Sequence, residues 1–253
     1  MFEGSLRFYG ITKDPETKEF IIIIQLAKEN LRNFLLSNSN SILWKDKINY
    51  LCTLAFDLGY LHGLGYFHKN FHSENILQIG NSFYISDFNN KVCGVLQYIA
   101  PEVLRGKPYT LFSNIYSFGI IMTELSSGRL AFYNKKHDSN LVTKICSGLR
   151  PEFGKETPEI YKKLACKCMS NDPNQRPTAS ELCLILYFWY CSIKNNLNYY
   201  KKENFGYKGE KIKAIFEKAD RIQNILPTNS SISHLYEENN EGNFLLKFLL
   251  LIN

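Results

Sequence analysis

Tyr66-Phe67-His68-Lys69-Asn70-Phe71-His72-Ser73-Glu74-Asn75 is a polar stretch set between apolar ones. Ile76-Leu77-Gln78-Ile79 leads out of it as a short strand, and a second apolar run, Phe83-Tyr84-Ile85-Ser86, delivers Asp87-Phe88. The segment that leads in, Lys45 to Leu61, repeats apolar residues at helical spacing: Ile48, Leu51, Cys52, Ala55, Leu58 and Leu61. Gly63 and Gly65 end that helix. The chain is built around a polar loop held by a helix on one side and two short strands on the other.

Upstream, Leu6 to Ile11 and Phe20 to Ile24 read as two strands joined by a turn at Asp14-Pro15-Glu16-Thr17. The second is continuously β-branched and aromatic, which predicts a buried strand. A short helix, Leu31 to Leu36, and a turn-rich loop, Ser37 to Ser41, follow. Downstream, Ser113 opens a helix through Leu125 that is apolar on nearly every side, with Gly128 beyond it. Such a helix is normally the buried pillar of a domain. Further helices are predicted over Leu141 to Cys146, Pro158 to Cys168, and from Pro177-Thr178 to Tyr190. Asn195 to Lys202 reads as a polar linker, and Glu210 to Leu226 as an amphipathic helix stopped by Pro227. The expected fold is α+β, predominantly α. Residues 1–190 would form one domain and 191–253 a linker with a helical tail.

With 253 residues, 45% apolar and 21% charged, the composition is that of an ordinary globular protein. The net charge of +6 does not by itself point to nucleic acid. The cysteines, at 52, 93, 146, 166, 168, 183 and 191, are odd in number and contain no C-x-x-C, which argues against zinc and for reduced thiols. Glu3 and Arg7 stand where a secretory signal would be apolar, and Phe244 to Ile252 is too short to span a bilayer. The expected compartment is the cytoplasm, with the nucleus as the alternative and no membrane.

Several motifs in order resemble the large lobe of a protein kinase. The loop from His68 to Asn75 is similar to that family's His-Arg-Asp-x-x-x-x-Asn, and Asp87-Phe88 to the start of Asp-Phe-Gly. Ala100-Pro101-Glu102 matches Ala-Pro-Glu, Ser113 to Gly119 resembles the pillar-helix motif, and Arg176-Pro177 stands at the family's Arg-Pro. The wording leans toward the tyrosine-kinase-like serine/threonine branch. The resemblance implies a small-lobe remnant over 1–27 and a large lobe over 28–190. It implies that Asp87 and Asn75 would hold magnesium on nucleotide phosphates. Ile24 would border the adenine pocket, Gln25 and Ala27 would form the hinge, and Leu77 the floor. His68 and Phe88 are implied as packing residues, and Glu102 with Arg176 as a buried ion pair.

Four departures fall on one function. Asn70 replaces the aspartate that receives or orients the substrate proton, and an amide takes up no proton at neutral pH. General-base assistance is worth roughly 10²–10⁴ in rate. No Gly-x-Gly-x-x-Gly occurs, and Leu6 already matches the fourth strand of the small lobe, so the phosphate-gripping lysine is missing as well. Asn89 replaces the glycine after Asp87-Phe88, and the short segment to Ala100 holds no serine or threonine, only Tyr98. Asn114 replaces the pillar aspartate, keeping an acceptor oxygen. The expectation is an impaired kinase-like protein, a pseudokinase, that acts by binding protein partners in signalling. ATP and magnesium are expected only if nucleotide binding survives, and otherwise no cofactor.

The alternative is an active ATP-dependent protein serine/threonine or tyrosine kinase of weak activity with a longer N-terminus. A third reading gives an acidic partner or RNA to Lys194, Lys201, Lys202, Lys208, Lys211 and Lys213, interleaved with tyrosines. Nucleic acid is the less favoured partner, because a solvated linker and helix face explains the same residues.

Overall fold

The computed structural model describes residues 6–38, 41–87 and 95–225. Phe88, Asn89 and the apolar run Phe244 to Ile252 lie outside them. The elements in chain order are β1 (Phe8–Lys13), β2 (Phe20–Ile24), α1 (Leu31–Asn38), α2 (Trp44–Gly63), β3 (Ile76–Ile79) and β4 (Ser82–Ile85). There follow α3 (Pro101–Leu104), α4 (Leu111–Ser127), α5 (Ser139–Cys146), α6 (Glu159–Cys168) and α7 (Ala179–Ile193). The last are α8 (Leu197–Tyr200), β5 (Glu203–Asn204), β6 (Tyr207–Lys208) and α9 (Gly209–Ile225).

The pillar α4 has polar ends and an apolar body. Thr110 and Ser113 cap it reciprocally, and Gly128 ends it in the left-handed conformation at φ +68°. Every residue from Ser113 to Leu125 is buried. Gly119 lets α6 approach closely: a Cβ there would sit 2.6 Å from Met169 Cγ and 2.9 Å from Cys168 Cβ. Tyr161 of α6 donates its hydroxyl to Met122 O at 2.8 Å, which fixes the crossing.

On the other side α2 packs along α7, and α9 packs on both. An aromatic cluster closes this seam. Trp44 meets Tyr161 edge-on with centroids 4.9 Å apart, and Phe216 lies 5.7 Å from Trp44 and 5.5 Å from Trp189. Asp220 accepts from Trp44 N at 2.8 Å and so caps the start of α2. The run read as a linker therefore holds a short helix, and the helix read as a tail buries Ile212 and Phe216 in the same core.

β1 and β2 pair antiparallel as a two-stranded hairpin. Here the sequence reading is corrected: β2 is not buried, since all five of its residues are exposed. An apolar β-branched run signals that something covers a strand, not that nearby residues of the same chain do. The hairpin joins the helical body through Lys28 N to Gln78 O (3.0 Å) and Gln78 N to Glu29 O (2.8 Å), beside a bridge between Asn30 and Leu77.

Candidate active site

The loop from His68 to Asn75 hangs from the pillar by one side chain. Asn114 Oδ1 accepts from His68 N at 2.8 Å while its Nδ2 donates to His68 O at 2.6 Å. The residue is fully buried, and both polar ends of the amide are satisfied by the backbone N–H and C=O of one residue. His68 turns inward: Nε2 donates to Ser86 O at 2.7 Å and Nδ1 accepts from Asn70 N at 3.2 Å. That pair of bonds fits the neutral imidazole, and burial lowers its pKa. His72 is also buried, which pulls its pKa down to about 4. It stays neutral and caps the turn that leads to Asn75 by accepting from Glu74 N.

Asn75 and Asp87 come together at the mouth. Asn75 Nδ2 donates to Asn70 O at 2.9 Å and reaches Asp87 Oδ2 at 3.3 Å. Two acceptor neighbours fix which end of the amide is nitrogen. The hydrogen bonds of the Asn75 side chain all run from Nδ2, to Asn70 O, His72 Nε2 and Asp87 Oδ2, so Oδ1 is the end left for a cation beside the exposed Asp87 carboxylate. Asp87 adopts φ +58°, a left-handed conformation that aspartate tolerates better than most residues. One carboxylate and one amide oxygen, with phosphates completing the shell, is the type of set magnesium takes. Among the described residues no group of three or more histidine, cysteine or acidic side chains is placed to hold a metal by itself.

Asn70 lies between these groups and the pillar. Its backbone is tied at both ends, yet its Oδ1 is buried without a hydrogen-bond partner among the described residues. It borders a cavity of about 10 Å³ shared with Lys69, Tyr98, Tyr109 and Ser117, about the room of a single water.

The residues expected to border a nucleotide are more open. Ala27 and Leu77 are half-buried, Gln25 is held by a bond from its N–H to Arg7 O at 2.8 Å, and Ile24 belongs to the exposed β2. Leu26, between the two hinge positions, is 93% exposed, so this wall faces solvent.

Glu102 and Arg176 meet in a bidentate pair, both N–O distances 2.7 Å. A second buried network has no counterpart in the sequence reading. Ser73 Oγ donates to Tyr98 Oη (2.8 Å), Tyr98 donates to Glu124 Oε1 (2.7 Å), and Ala131 N donates to the same oxygen (3.0 Å). It links the loop, the segment before α3 and the pillar. Burial pushes the Glu124 carboxyl up to about 7 and the Tyr98 hydroxyl higher still. One signal was available in the sequence: Glu124 is the only acidic residue in the apolar run from Ser113 to Leu125. Tyr98, the one hydroxyl of its segment, is 5% exposed with its oxygen engaged on both sides, and is no open target for phosphorylation.

A family model described as protein tyrosine and serine/threonine kinase matches residues 4–186. The chain belongs to the protein kinase family. Its fold is accordingly the α-rich large lobe of a kinase with a small-lobe remnant of two strands. The chain is 27% identical over 176 residues to a probable serine/threonine-protein kinase of Dictyostelium discoideum, covering 64% of this chain and 11% of that protein. It is 25% identical over 195 residues to a probable LIM domain-containing serine/threonine-protein kinase of the same organism, covering 70% and 20%. An RGS domain-containing serine/threonine-protein kinase A, also from Dictyostelium discoideum, is 24% identical over 188 residues, covering 70% and 17%. The chain thus spans a fifth or less of the length of these three relatives.

Proposed function

We propose that this kinase-family chain is impaired in phosphoryl transfer and acts in signalling by binding other proteins, in the cytoplasm. The observation that carries the reading is Asn70, whose side-chain oxygen is uncharged, buried and without a hydrogen-bond partner among the described residues where the family's loop holds an aspartate. An amide there neither accepts a substrate proton nor aligns a hydroxyl through charge. The open hinge wall supports the same reading, since nucleotide affinity depends on burying the base. No helix among the described residues is long and apolar enough to cross a membrane, and the basic residues near the C-terminus are partly engaged within the chain. Lys202 lies over Tyr199 and Lys211 over Tyr207, while Lys213 pairs with Glu217. A protein partner therefore fits better than nucleic acid.

The second reading, a weakly active ATP-dependent protein serine/threonine or tyrosine kinase, is favoured by Asn75 and Asp87. If nucleotide binds, Asn75 Oδ1 and the Asp87 carboxylate are the groups that would hold magnesium, which would draw charge from the phosphates during transfer. The chain's own contribution would then be to hold those two side chains in register through Asn70 O and the tilt of Asp87.

The deciding experiment is a phosphoryl-transfer assay on the purified chain with ATP and magnesium, beside Asp87→Ala and Asn70→Asp. Wild type is expected to match Asp87→Ala. Magnesium-dependent transfer that is lost in Asp87→Ala overturns the impaired reading in favour of the second. A thermal-shift titration separates the remaining cases. A shift with nucleotide but no transfer marks a binding module, and no shift in either wild type or Asn70→Asp marks a scaffold that uses no nucleotide.

A further inference from the structure

Three segments meet on one carboxyl oxygen of the pillar. Tyr98, from the segment before α3, and Ala131 N, from the connection between α4 and α5, both donate to Glu124 Oε1, at 2.7 and 3.0 Å. Ser73 of the loop reaches the same oxygen through the Tyr98 hydroxyl. Glu124 is fully buried, and its Oε2 has no hydrogen-bond partner among the described residues. Among those residues no cation bonds the carboxyl either. Arg32 of α1 acts on it from a distance, while the guanidinium itself is bonded to Glu74. The nearby imidazoles supply no charge at neutral pH: the His72 ring, 5.7 Å from that of Tyr98, is neutral, and burial lowers the pKa of His137 in the connection. A buried carboxyl in this setting favours its neutral form, and its ionised form favours any arrangement that lets water in.

The connection is the part that can yield. The body of α4 is buried, and the loop is tied to it by Asn114. Ala131 and Phe132 are buried too, but Tyr133 to His137 lie at the surface. Phe132 takes φ +58°, a left-handed conformation that a bulky residue holds only under constraint. This strained residue directly follows the one bonded to Glu124. The closed arrangement is therefore held by one hydrogen bond and one buried ring, and its release would relax the backbone while opening the carboxyl to water.

We propose that Ala131–Phe132 is a pH-sensitive latch, closed on Glu124 while the carboxyl is protonated and released when it ionises. The closed carboxyl titrates at about 7 against 4.5 when free, so release grows as pH rises from about 4.5 and levels off above 7. His137 works in the opposite sense, because a histidine held below its usual pKa favours the closed form at higher pH. The connection carries Arg129, Lys135 and Lys136 at the surface, so release re-sets a basic face of the molecule. The inference does not depend on how the catalytic loop is read, and it concerns a local opening, not unfolding of the domain.

Amide hydrogen exchange of the full chain at pH 6 and pH 8, divided by each amide's intrinsic rate, tests it. Ala131 is expected to be at least about 100-fold less protected than Ile121, which sits mid-pillar and reports opening of the whole domain. Relative to Glu124→Gln, the release of Ala131 in wild type is expected to grow about tenfold from pH 6 to pH 8. His137 is present in both proteins, so its part cancels. Tyr98→Phe removes one donor from the ionised carboxyl and is expected to move the midpoint of the wild-type curve to higher pH, which serves if Glu124→Gln misfolds. Equal protection of Ala131 and Ile121 overturns the proposal, since the segment then opens only with the domain. So does a pH response that Glu124→Gln reproduces, or a midpoint that Tyr98→Phe leaves in place.

Discussion

Arg176 lays two guanidinium nitrogens on the two carboxylate oxygens of Glu102, each at 2.7 Å, across 74 positions of sequence. The same guanidinium donates to Ser170 O and Phe112 O and lies over the ring of Tyr116 at 5.4 Å. Glu102 in turn accepts from Ser113, so the pair ties α3 to the first turn of the pillar. Both side chains are buried, and removing one partner strands the other charge. Arg176→Ala is expected to cost about 3–5 kcal/mol in urea unfolding. Arg176→Lys should recover little, because an ammonium cannot reproduce the fork.

Glu124 sets a pH dependence. Its carboxyl titrates at about 7 in the folded chain against 4.5 as a free side chain, so the folded state binds more protons between those values. Stability from this group is present below about pH 4.5 and is lost as pH rises through 7. His72, held near 4, acts oppositely: its contribution grows as pH rises from about 4 to 6.5. Glu124→Gln keeps an acceptor for Tyr98 and Ala131 and loses the titration. It is expected to be more stable than wild type at pH 8 by roughly 1–3 kcal/mol, with the gap closing by pH 5 in paired unfolding curves.

Gly119 marks where α4 and α6 touch. Gly119→Ala places a methyl 2.6 Å from Met169 Cγ and 3.1 Å from Ala165 O. Met169 can shift, but the backbone oxygen cannot easily do so, and the variant should lose about 1–3 kcal/mol. A matched loss from Met169→Ala, without recovery in the double variant, would show that the side chain is not the obstacle.

Phe216 tests whether α9 belongs to the core. It is fully buried between Trp44 and Trp189, and Phe216→Ala is expected to cost about 3–5 kcal/mol in a single cooperative transition. A loss under 1 kcal/mol, or a separate early transition, would make α9 an appendage.

The helices were legible because each carries its own periodicity and its own ends. Gly128 ends α4 as read, and α5, α6 and α7 begin within two residues of the expected positions. The loop was legible through its resemblance to the kinase motifs, and the β3–β4 pairing does bring Asn75 and Asp87 together. What the sequence hid depends on absent or distant neighbours. β2 has the composition of a covered strand, and nothing local says that its surroundings leave it open. Lys47 was equally hidden: it lies 2% exposed over the Trp44 ring at 4.7 Å, with burial lowering its pKa to about 8 and Asp220 working against that. The Ser73–Tyr98–Glu124 relay joins three segments that sequence alone gives no reason to align.

The place of α9 bears on how the chain is made. Residues 4–186 carry the family match, yet the seam around Trp44 and Trp189 closes only when Phe216 arrives. Synthesis proceeds at about 5–20 residues per second, so Trp189 leaves the ribosome roughly one to five seconds before the ring that covers it. For that interval the nascent domain shows two indoles to its surroundings. The emergence of α9, rather than the end of the kinase-like segment, is when this core becomes whole.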